Sequence, residues 1–328
     1  MQRSPGQKYS VSHDAPLLAY LFEILPDRSR TAVKNLLAKG QVEVNGEVRT
    51  AFDAPLRSGD RIVILPKGIS MAREERLGAR EALEKTGVRI LFEDDDLMVV
   101  DKPAGMPTVA TGKGEHERTL YALLLAYVKT NARAQRKEAG VAGETPDRKQ
   151  VNRVWIVHRL DKGTSGLLVF AKKERIKDIL QSKWKDMVQE RSYTAFLEGK
   201  VEPESGAIQT WLYENPKSLK MHCSDTEVKD WQLAISHYRV EDYIYRRGSK
   251  SVLCTRTGFI LETGRKNQIR AHAAWIGHPI CGDDKYGAVT NPIGRLALHA
   301  GTLSFRHPTT GKLLRFRSEL PPEFDRFE

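Results

Sequence analysis

The apolar positions of residues 1–66 predict a small module of helices and strands. A first helical pattern consists of Leu17, Leu18, Leu21, Phe22 and Leu25, and Pro26 ends it. A second helix is predicted between Ser29, which can cap its start, and Gly40, which stands where helices normally end. Alternating valines around the Asn45-Gly46 pair predict a hairpin, and a further strand follows at residues 61–65. We therefore expect a first domain at residues 15–66, preceded by a loose polar tail at residues 1–14.

The remaining apolar pattern predicts a linker and a larger, strand-rich domain. Residues 67–87 are charged, have few apolar anchors and are expected to form a linker, with transient helical character at residues 71–85. Strands are predicted at residues 88–92, 97–100, 167–171, 191–199, 295–300 and 303–308, and helices at residues 119–130 and 174–188. We expect this second domain to span residues 88–328.

One stretch of the second domain, VHRLDKGTSGLLVFAKK at residues 157–173, combines charge, turn residues and a buried strand. Asp161 precedes an unbroken apolar run, so it is expected on a loop at the edge of a sheet, where catalytic groups tend to sit. Arg159 and Lys162 favour its ionised form through their positive charge. Aspartates in loops are also common turn formers and ion-pair partners, and the residues alone leave both readings open.

Composition narrows the class of protein. Of the 328 residues, 53 are Lys or Arg and 42 are Asp or Glu, a formal charge of +11 that favours a polyanionic partner, with nucleic acid as the first candidate. The three cysteines are far apart, which indicates a reducing compartment and no disulfide framework. The chain has neither the cysteine and histidine spacing of a zinc site nor a phosphate-binding glycine motif, so we expect no metal and no cofactor. It has no long apolar span and no hydrophobic signal core, so we expect a cytoplasmic protein without a membrane segment.

Several motifs together resemble one known family. HRLDKGTSGLLVFAK at residues 158–172, LETGRKNQIRAH at residues 261–272, GHPICGDDKYG at residues 277–287 and KPAG at residues 102–105 resemble the RluA-like pseudouridine synthases, which isomerise uridine in RNA. The resemblance implies an α+β fold whose central sheet is mixed, largely antiparallel and flanked by helices. The front module, with SRTAVKNLLAKGQVEVNGEV and SGDRIVI, resembles the small S4-like α/β RNA-binding domain.

The resemblance also implies roles for individual residues. Asp161 would be the nucleophile, Arg270 its partner, Tyr193 a catalytic tyrosine, and Arg159 the side chain that replaces a flipped-out uridine. Leu160, Ile269 and Gln268 would wall the site, together with the turn formed by Lys102, Pro103 and Gly105. Where the family usually has histidine, this chain has Asn267. The residues that match the RNA-contacting cations of the S4-like domain are Arg28, Arg30, Lys34 and Lys39.

The partner implied is RNA, bound by a monomeric enzyme. Large-subunit ribosomal RNA is the family's commonest target when the front module is present, and transfer RNA stays open, as does the choice between a covalent adduct and a glycal route. Residues 131–153 predict a mobile basic loop that either contacts RNA or is an inert insertion.

Two other classes of function compete with this hypothesis. In the first, the chain binds RNA without catalysis and Asp161 is structural. In the second, the chain is a hydrolase that uses Ser165 or the pair Asp283 and Asp284. The second is disfavoured because Gly-Thr-Ser-Gly lacks the spacing of a nucleophile elbow, and because adjacent carboxylates in a strand point to opposite faces. The histidines His299 and His307 are expected to be structural.

Overall fold

A computed structural model describes residues 6–110, 118–139 and 153–327, without the side chains of residues 67–74 and 135–139. The chain divides into two compact units, the first comprising Met1–Lys85 and Leu125–Asn152 and the second Thr86–Leu124 and Arg153–Glu328. Among the helices so described, none combines the length and apolar content needed to cross a membrane.

The first unit is a small α/β module with its own core. Its elements are β1 (Gln7–Ser10), β2 (Ala15–Pro16), α1 (Leu17–Ile24), α2 (Arg30–Ala38), β3 (Val42–Val44), β4 (Glu47–Val48), β5 (Pro55–Leu56), β6 (Arg61–Ile64) and α3 (Lys67–Glu84). The strands β1, β6, β3 and β4 form an antiparallel sheet in that order, and β2 pairs with β5. Leu17, Leu21, Val33 and Leu37 from the two helices are fully buried in the core.

Local signals in this unit act as expected. The Ser29 hydroxyl caps α2 by accepting a hydrogen bond from the Ala32 backbone N–H at 3.2 Å. Gly40 follows α2 in the left-handed region with φ 60°. Asn45 and Gly46 both have positive φ, 54° and 87°, as a two-residue hairpin between β3 and β4 requires.

Two expectations for this part of the chain were wrong. The predicted tail at residues 1–14 contains β1, in which polar residues at Gln7–Ser10 pair with β6; an edge strand is held by backbone hydrogen bonds and needs no apolar alternation. The predicted linker at residues 67–87 contains one continuous helix, α3. Its sequence is rich in Ala, Glu, Arg and Leu, which favour a helix even without a strong apolar stripe.

The second unit is built on one large sheet. Its strands are β7 (Arg89–Glu93), β8 (Leu97–Lys102), β9 (Trp155–Ile156), β10 (Ser165–Ala171), β11 (Val188–Glu198), β12 (Ser205–Glu214), β13 (Met221–Ser224), β14 (Gln232–Tyr245), β15 (Val252–Leu261), β16 (Leu298–Arg306) and β17 (Leu313–Arg317). Its helices, with α4 shared between the units, are α4 (Leu120–Ala139), α5 (Glu174–Ser182), α6 (Trp184–Met187) and α7 (Gln268–Trp275), and short 3₁₀ helices lie at Asp284–Tyr286 and Pro322–Phe327. The expected mixed, largely antiparallel sheet flanked by helices is confirmed.

The sheet order is β13-β12-β14-β15-β11-β16-β10-β8-β7, with β9 added on β10 and β17 on β16. The pairing of β10 with β16 is parallel, and the other pairings are antiparallel. Where β10 meets β16, Gly166 has φ 113°, and a Cβ there would lie 2.2 Å from the Ala300 carbonyl oxygen. This position therefore requires glycine, and it fixes where the loop carrying Asp161 enters the sheet.

Several predicted boundaries in this unit differ from the structure. The two closing strands expected at residues 295–300 and 303–308 are one strand, β16, because Gly301 and Thr302 continue the ladder. Residues 131–139 of the predicted basic loop belong to α4, and residues 140–152 of that loop lie outside the described residues. Residues 125–139 of α4 belong to the first unit, and helical spacing in the sequence could not have shown this division.

Candidate active site

The loop that carries Asp161 is supported by Lys102, the last residue of β8, and by the segment that follows it. The ammonium group of Lys102 donates hydrogen bonds to the carbonyls of Pro103 at 2.9 Å, Met106 at 2.8 Å and Lys162 at 3.4 Å. The Gly105 backbone N–H donates to the same Lys162 carbonyl at 2.8 Å. This segment was expected to wall the site; instead it supports the residue next to Asp161.

Two further contacts complete this support. The Thr108 hydroxyl donates to the Leu160 carbonyl at 2.8 Å and accepts from the Leu160 backbone N–H at 3.3 Å. Burial lowers the pKa of Lys102 to about 7, although the charges of Asp161 and Asp101 raise it. Thr108 was missed because a single threonine in a turn carries no sequence signal for such a distant contact.

Arg270 is the cation beside Asp161. Its Nη1 donates to Asp161 Oδ2 at 3.3 Å, and the two side chains keep 14% and 21% of their exposed surface. The same guanidinium makes a bidentate pair with Asp283, from Nε at 2.7 Å and from Nη2 at 2.6 Å. Burial lowers the pKa of Arg270, but its hydrogen bonds and ion pairs with the two aspartates outweigh burial and raise it. Arg270 therefore stays charged and is fixed in direction by the fully buried Asp283.

Asn267 is the second donor to Asp161. Its Nδ2 donates to Asp161 Oδ2 at 2.5 Å, and its residue is 8% exposed. Asn267 precedes α7 in the left-handed region with φ 50°. Asparagine and histidine are among the non-glycine residues that tolerate this region, which explains how asparagine fits where the resembled family usually has histidine.

Gln268 anchors the loop that precedes α7. Its Oε1 accepts from the Thr263 hydroxyl at 2.7 Å and from the Arg265 backbone N–H at 3.0 Å. Its Nε2 donates to the Ile235 carbonyl at 3.0 Å and to the Ser236 hydroxyl at 2.9 Å. Gln268 was expected as a wall; it does line the pocket, but its polar atoms are engaged in holding this loop against β14.

Arg270, Asn267 and Gln268 line one pocket of about 150 Å³, which we call the uridine pocket after the base that the sequence resemblance predicts for it. The residues expected from the sequence that line it are Arg159, Leu160, Asp161, Tyr193, Gln268, Ile269 and Arg270. A cavity of about this size accommodates a benzene-sized ring in other proteins. The structure thus brings together the site residues predicted for the second unit.

Tyr193 forms a dry wall of the uridine pocket. Its ring is 4% exposed, and the Arg191 guanidinium lies over it at 5.4 Å from the centroid. Burial raises the pKa of Tyr193, and the positive charge of Arg191 does not cancel this effect. The hydroxyl is therefore neutral at physiological pH and can serve as a donor. Arg159, in contrast, is exposed at the edge of the pocket.

The four cations predicted to contact RNA lie elsewhere, in the first unit. Arg28, Arg30, Lys34 and Lys39 are all exposed. Among the residues described, none of them has a carboxylate within 4.0 Å, while Arg30 lies over the Phe22 ring at 5.5 Å. Their charges are therefore not neutralised by that part of the chain.

The residues that a hydrolase would use are engaged in structure. Ser165 is 2% exposed and contacts His299 Nδ1 at 2.9 Å and Arg295 Nη2 at 2.8 Å. His299 Nε2 lies 3.1 Å from the Ser318 carbonyl, and His307 pairs with Asp94 at 2.9 Å, so both histidines have structural partners. The adjacent Asp283 and Asp284 were expected on a strand; they lie at the start of a 3₁₀ helix, with Asp283 covered by Arg270.

No group of three or more histidine, cysteine or acidic side chains is placed to hold a metal in the described part of the chain. The described residues place one carboxylate beside a fixed guanidinium at a small pocket with an aromatic wall. Such an arrangement can attack or stabilise an electron-poor carbon while a planar ring occupies the pocket.

Comparisons with known proteins identify the family of this chain. Residues 96–275 match the model of the RNA pseudouridylate synthase family. An RNA pseudouridine synthase of Synechocystis sp., described as uncharacterized, is 33% identical over 312 residues, which cover 94% of this chain and 86% of that protein. Ribosomal large subunit pseudouridine synthase D of Nitrosomonas europaea is 32% identical over 314 residues, covering 92% of this chain and 80% of that protein.

A solved structure shows the same fold. Human RNA pseudouridylate synthase domain containing 4 aligns with a TM-score of 0.53 at 21% sequence identity, over 78% of this chain and 95% of that one. The family match, the two relatives and this fold lead to one conclusion: the chain belongs to the RNA pseudouridylate synthase family and is an enzyme that isomerises uridine to pseudouridine.

Proposed function

We propose that this enzyme modifies uridine in large-subunit ribosomal RNA and that Asp161 is its nucleophile. The observation that carries the assignment of Asp161 is its position at the uridine pocket, where Arg270 and Asn267 both donate to its Oδ2. Two donors on one oxygen hold the carboxylate in a single direction. The other oxygen, Oδ1, has no donor among the described residues that would compete with substrate.

The reaction requires three events at this site. The bond from the ribose carbon to the uracil nitrogen must break, the detached base must turn, and a new bond must form to carbon. A carboxylate can attack the sugar carbon or stabilise the positive charge that develops there, as in glycoside hydrolysis. Arg270, fixed by Asp283, stabilises the ionised carboxylate between these steps.

The uridine pocket supports the rotation of a detached base. Its volume of about 150 Å³ suits one six-membered ring, and Leu160, Tyr193 and Ile269 give it buried walls. Such walls exclude water, which would otherwise hydrolyse the activated sugar. In this proposal Arg159, which is exposed and lines the pocket, enters the helical stack in the position that the flipped uridine leaves.

The first unit supports RNA binding. We propose that it acts as an S4-like domain and that Arg28, Arg30, Lys34 and Lys39 contact phosphates. Their exposure and lack of described acidic partners leave their charges available. In this proposal the unit contributes affinity, and the second unit performs the chemistry.

The choice of ribosomal RNA rests on the relatives. Several proteins that are 30–32% identical are named ribosomal large subunit pseudouridine synthase D, from species of Vibrio, Nitrosomonas and Neisseria. Transfer RNA is the alternative substrate. We further propose that the enzyme is monomeric and cytoplasmic. We also propose that it needs no metal and no cofactor, because the isomerisation involves no redox change.

The decisive experiment compares cells that carry the gene with cells that lack it. Carbodiimide mapping should reveal at least one pseudouridine in large-subunit ribosomal RNA that is lost in the deletion and restored by the wild-type gene. Restoration with Asp161→Asn should fail, while purified Asp161→Asn should bind the RNA within about threefold of wild type because the phosphate contacts lie elsewhere. Full turnover by Asp161→Asn would refute the assignment of the nucleophile, and a lost pseudouridine found in transfer RNA would refute the choice of substrate.

A further inference from the structure

A second and larger pocket opens beside the uridine pocket. Its volume is about 820 Å³, which is in the range of nucleotide-sized ligand sites. We call it the side pocket. The residues that line both pockets are Arg159, Arg191, Leu261, Gly264 and Arg265, so the two cavities are adjacent.

The side pocket has positive charge that the described residues do not neutralise. Arg159, Lys185, Arg191 and Arg265 line it, and in the described part of the chain none of these cations has a carboxylate within 4.0 Å. The acidic residue that lines it, Glu262, is paired with His237 at 2.6 Å. Unpaired guanidinium groups in one cleft indicate an anionic ligand.

Arg191 and His158 also lack acceptors for buried N–H groups. Arg191 Nε is out of contact with solvent and has no hydrogen-bond partner. His158 Nε2 accepts from the Val169 backbone N–H at 3.2 Å, which leaves the proton of the neutral ring on Nδ1, and Nδ1 is buried without a partner too. Burial lowers the pKa of His158, so its ring is neutral at physiological pH. Two residues that line the side pocket therefore carry donors without partners, and each such group in a folded protein requires an explanation.

An aromatic ring completes the side pocket. Trp184 in α6 is half-buried, and its ring packs on His158 at 4.9 Å and near Phe305 at 6.5 Å between centroids. Gly264 leaves room for Arg191, since a Cβ there would lie 2.9 Å from the flexible Nη1 end of this side chain. Unpaired arginines beside a supported indole are the features with which proteins hold one unstacked nucleotide.

We propose that the side pocket binds the nucleotide next to the target uridine, with its phosphate at Arg191 and its base on Trp184. This inference rests on the proposed function and extends it, because it gives the enzyme a contact that depends on the strand continuing past the flipped base. The neighbouring nucleotide would hold the strand in place while Arg159 occupies the vacated stack.

The test uses the RNA segment that contains the mapped uridine, made with a neutral methylphosphonate at the phosphate on either its 5′ or its 3′ side. For the wild-type enzyme, one of the two substitutions should raise KM about tenfold, the effect of losing a charge-assisted contact. For Arg191→Gln, KM for the unmodified RNA should already be raised about tenfold, and the same methylphosphonate should have no further effect. Any change in kcat through the neighbouring Tyr193 is common to both RNAs and does not alter this comparison.

Two further variants make the result independent of Arg191. Removal of the neighbouring base should raise KM severalfold for the wild type and not for Trp184→Leu. Lys185 is exposed and lines the side pocket but not the uridine pocket. Lys185→Gln should reduce the factor by which the methylphosphonate raises KM. Arg175→Gln, an exposed charge change on α5 outside both pockets, should behave as wild type.

The outcomes separate the two proposals. The assignment of the side pocket would be overturned if neither methylphosphonate changed KM for the wild-type enzyme. It would also be overturned if the methylphosphonate raised KM by the same factor for the wild type and for Arg191→Gln. Either result would leave the proposed function intact. A wild-type enzyme that forms no pseudouridine in ribosomal RNA would overturn the proposed function, and this inference with it.

Discussion

The most informative single substitution is Asp283→Asn, because Asp283 touches Arg270 and not the uridine pocket. The carboxylate is fully buried and accepts two charge-assisted hydrogen bonds, at 2.6 and 2.7 Å. Removing one partner of a buried ion pair costs about 3–5 kcal/mol of unfolding free energy. Arg270 keeps Asp161 at 3.3 Å as a second partner, so we expect the lower end, about 3 kcal/mol.

The same substitution should lower activity. Without Asp283, the Arg270 guanidinium is free to turn, and the Asp161 carboxylate loses its fixed direction. Since each 1.4 kcal/mol of lost transition-state stabilisation is about a factor of ten in rate, kcat should fall at least about tenfold with little change in KM. Stability is measured by urea denaturation followed by circular dichroism, and activity by pseudouridine formation on the mapped RNA.

Asp284→Asn is the matched control. It makes the same chemical change at the adjacent residue, whose side chain is exposed. It should leave the urea midpoint and kcat near wild type, because exposed charges contribute little to stability. Equal behaviour of the two variants would show that the Arg270–Asp283 pair does not organise the site.

Three other predictions concern separate parts of the molecule. Asn267→Gly, which permits the left-handed backbone but removes the donor to Asp161, should lower kcat about tenfold, whereas Asn267→His should stay within about threefold of wild type; equal losses would contradict the role of the donor. Arg30→Gln and Lys34→Gln should each weaken RNA binding and reduce the slope of log affinity against log salt by about 1, with kcat on a short substrate unchanged; an unaltered slope in a filter-binding assay would exclude these phosphate contacts. Burial lowers the pKa of His272 to about 4, below the ordinary value of 6.5. As pH falls, the unfolded chain therefore binds the proton before the folded chain does. The free energy of unfolding should fall by about 3 kcal/mol between pH 6.5 and pH 4. His272→Gln should flatten this dependence in urea titrations at several pH values, and an unchanged slope would show that the histidine is not responsible.

Local chemistry made much of the fold predictable. The Asn45-Gly46 hairpin, the Ser29 cap and the buried run that became β10 depend on neighbours in sequence, so their patterns sufficed. β1 was missed because its stability comes from pairing with β6, more than fifty residues away, and its own polar residues carry no signal for that contact.

The sequence likewise identified only some residues of the candidate site. Asp161 and Arg270 lie in motifs that identify them, although the distance between them could not be derived from spacing. Lys102 and Thr108 act through backbone carbonyls and N–H groups of the Asp161 loop, and such contacts leave no pattern in a single sequence. Trp184 was read as part of a helix that the structure divides at Lys183, and only the folded chain places its ring beside His158.

The position of β16 in the sheet determines how this enzyme can be shortened. Residues 96–275 carry the family match, and they would be the natural choice for a minimal catalytic fragment. Such a fragment would retain Asp161 and Arg270 but discard Asp283, along with the strand that joins β11 to β10 in the middle of the sheet. The second unit therefore needs its C-terminal segment to complete the sheet and to fix Arg270. Truncation at residue 275 should give an inactive, poorly folded product rather than a smaller enzyme.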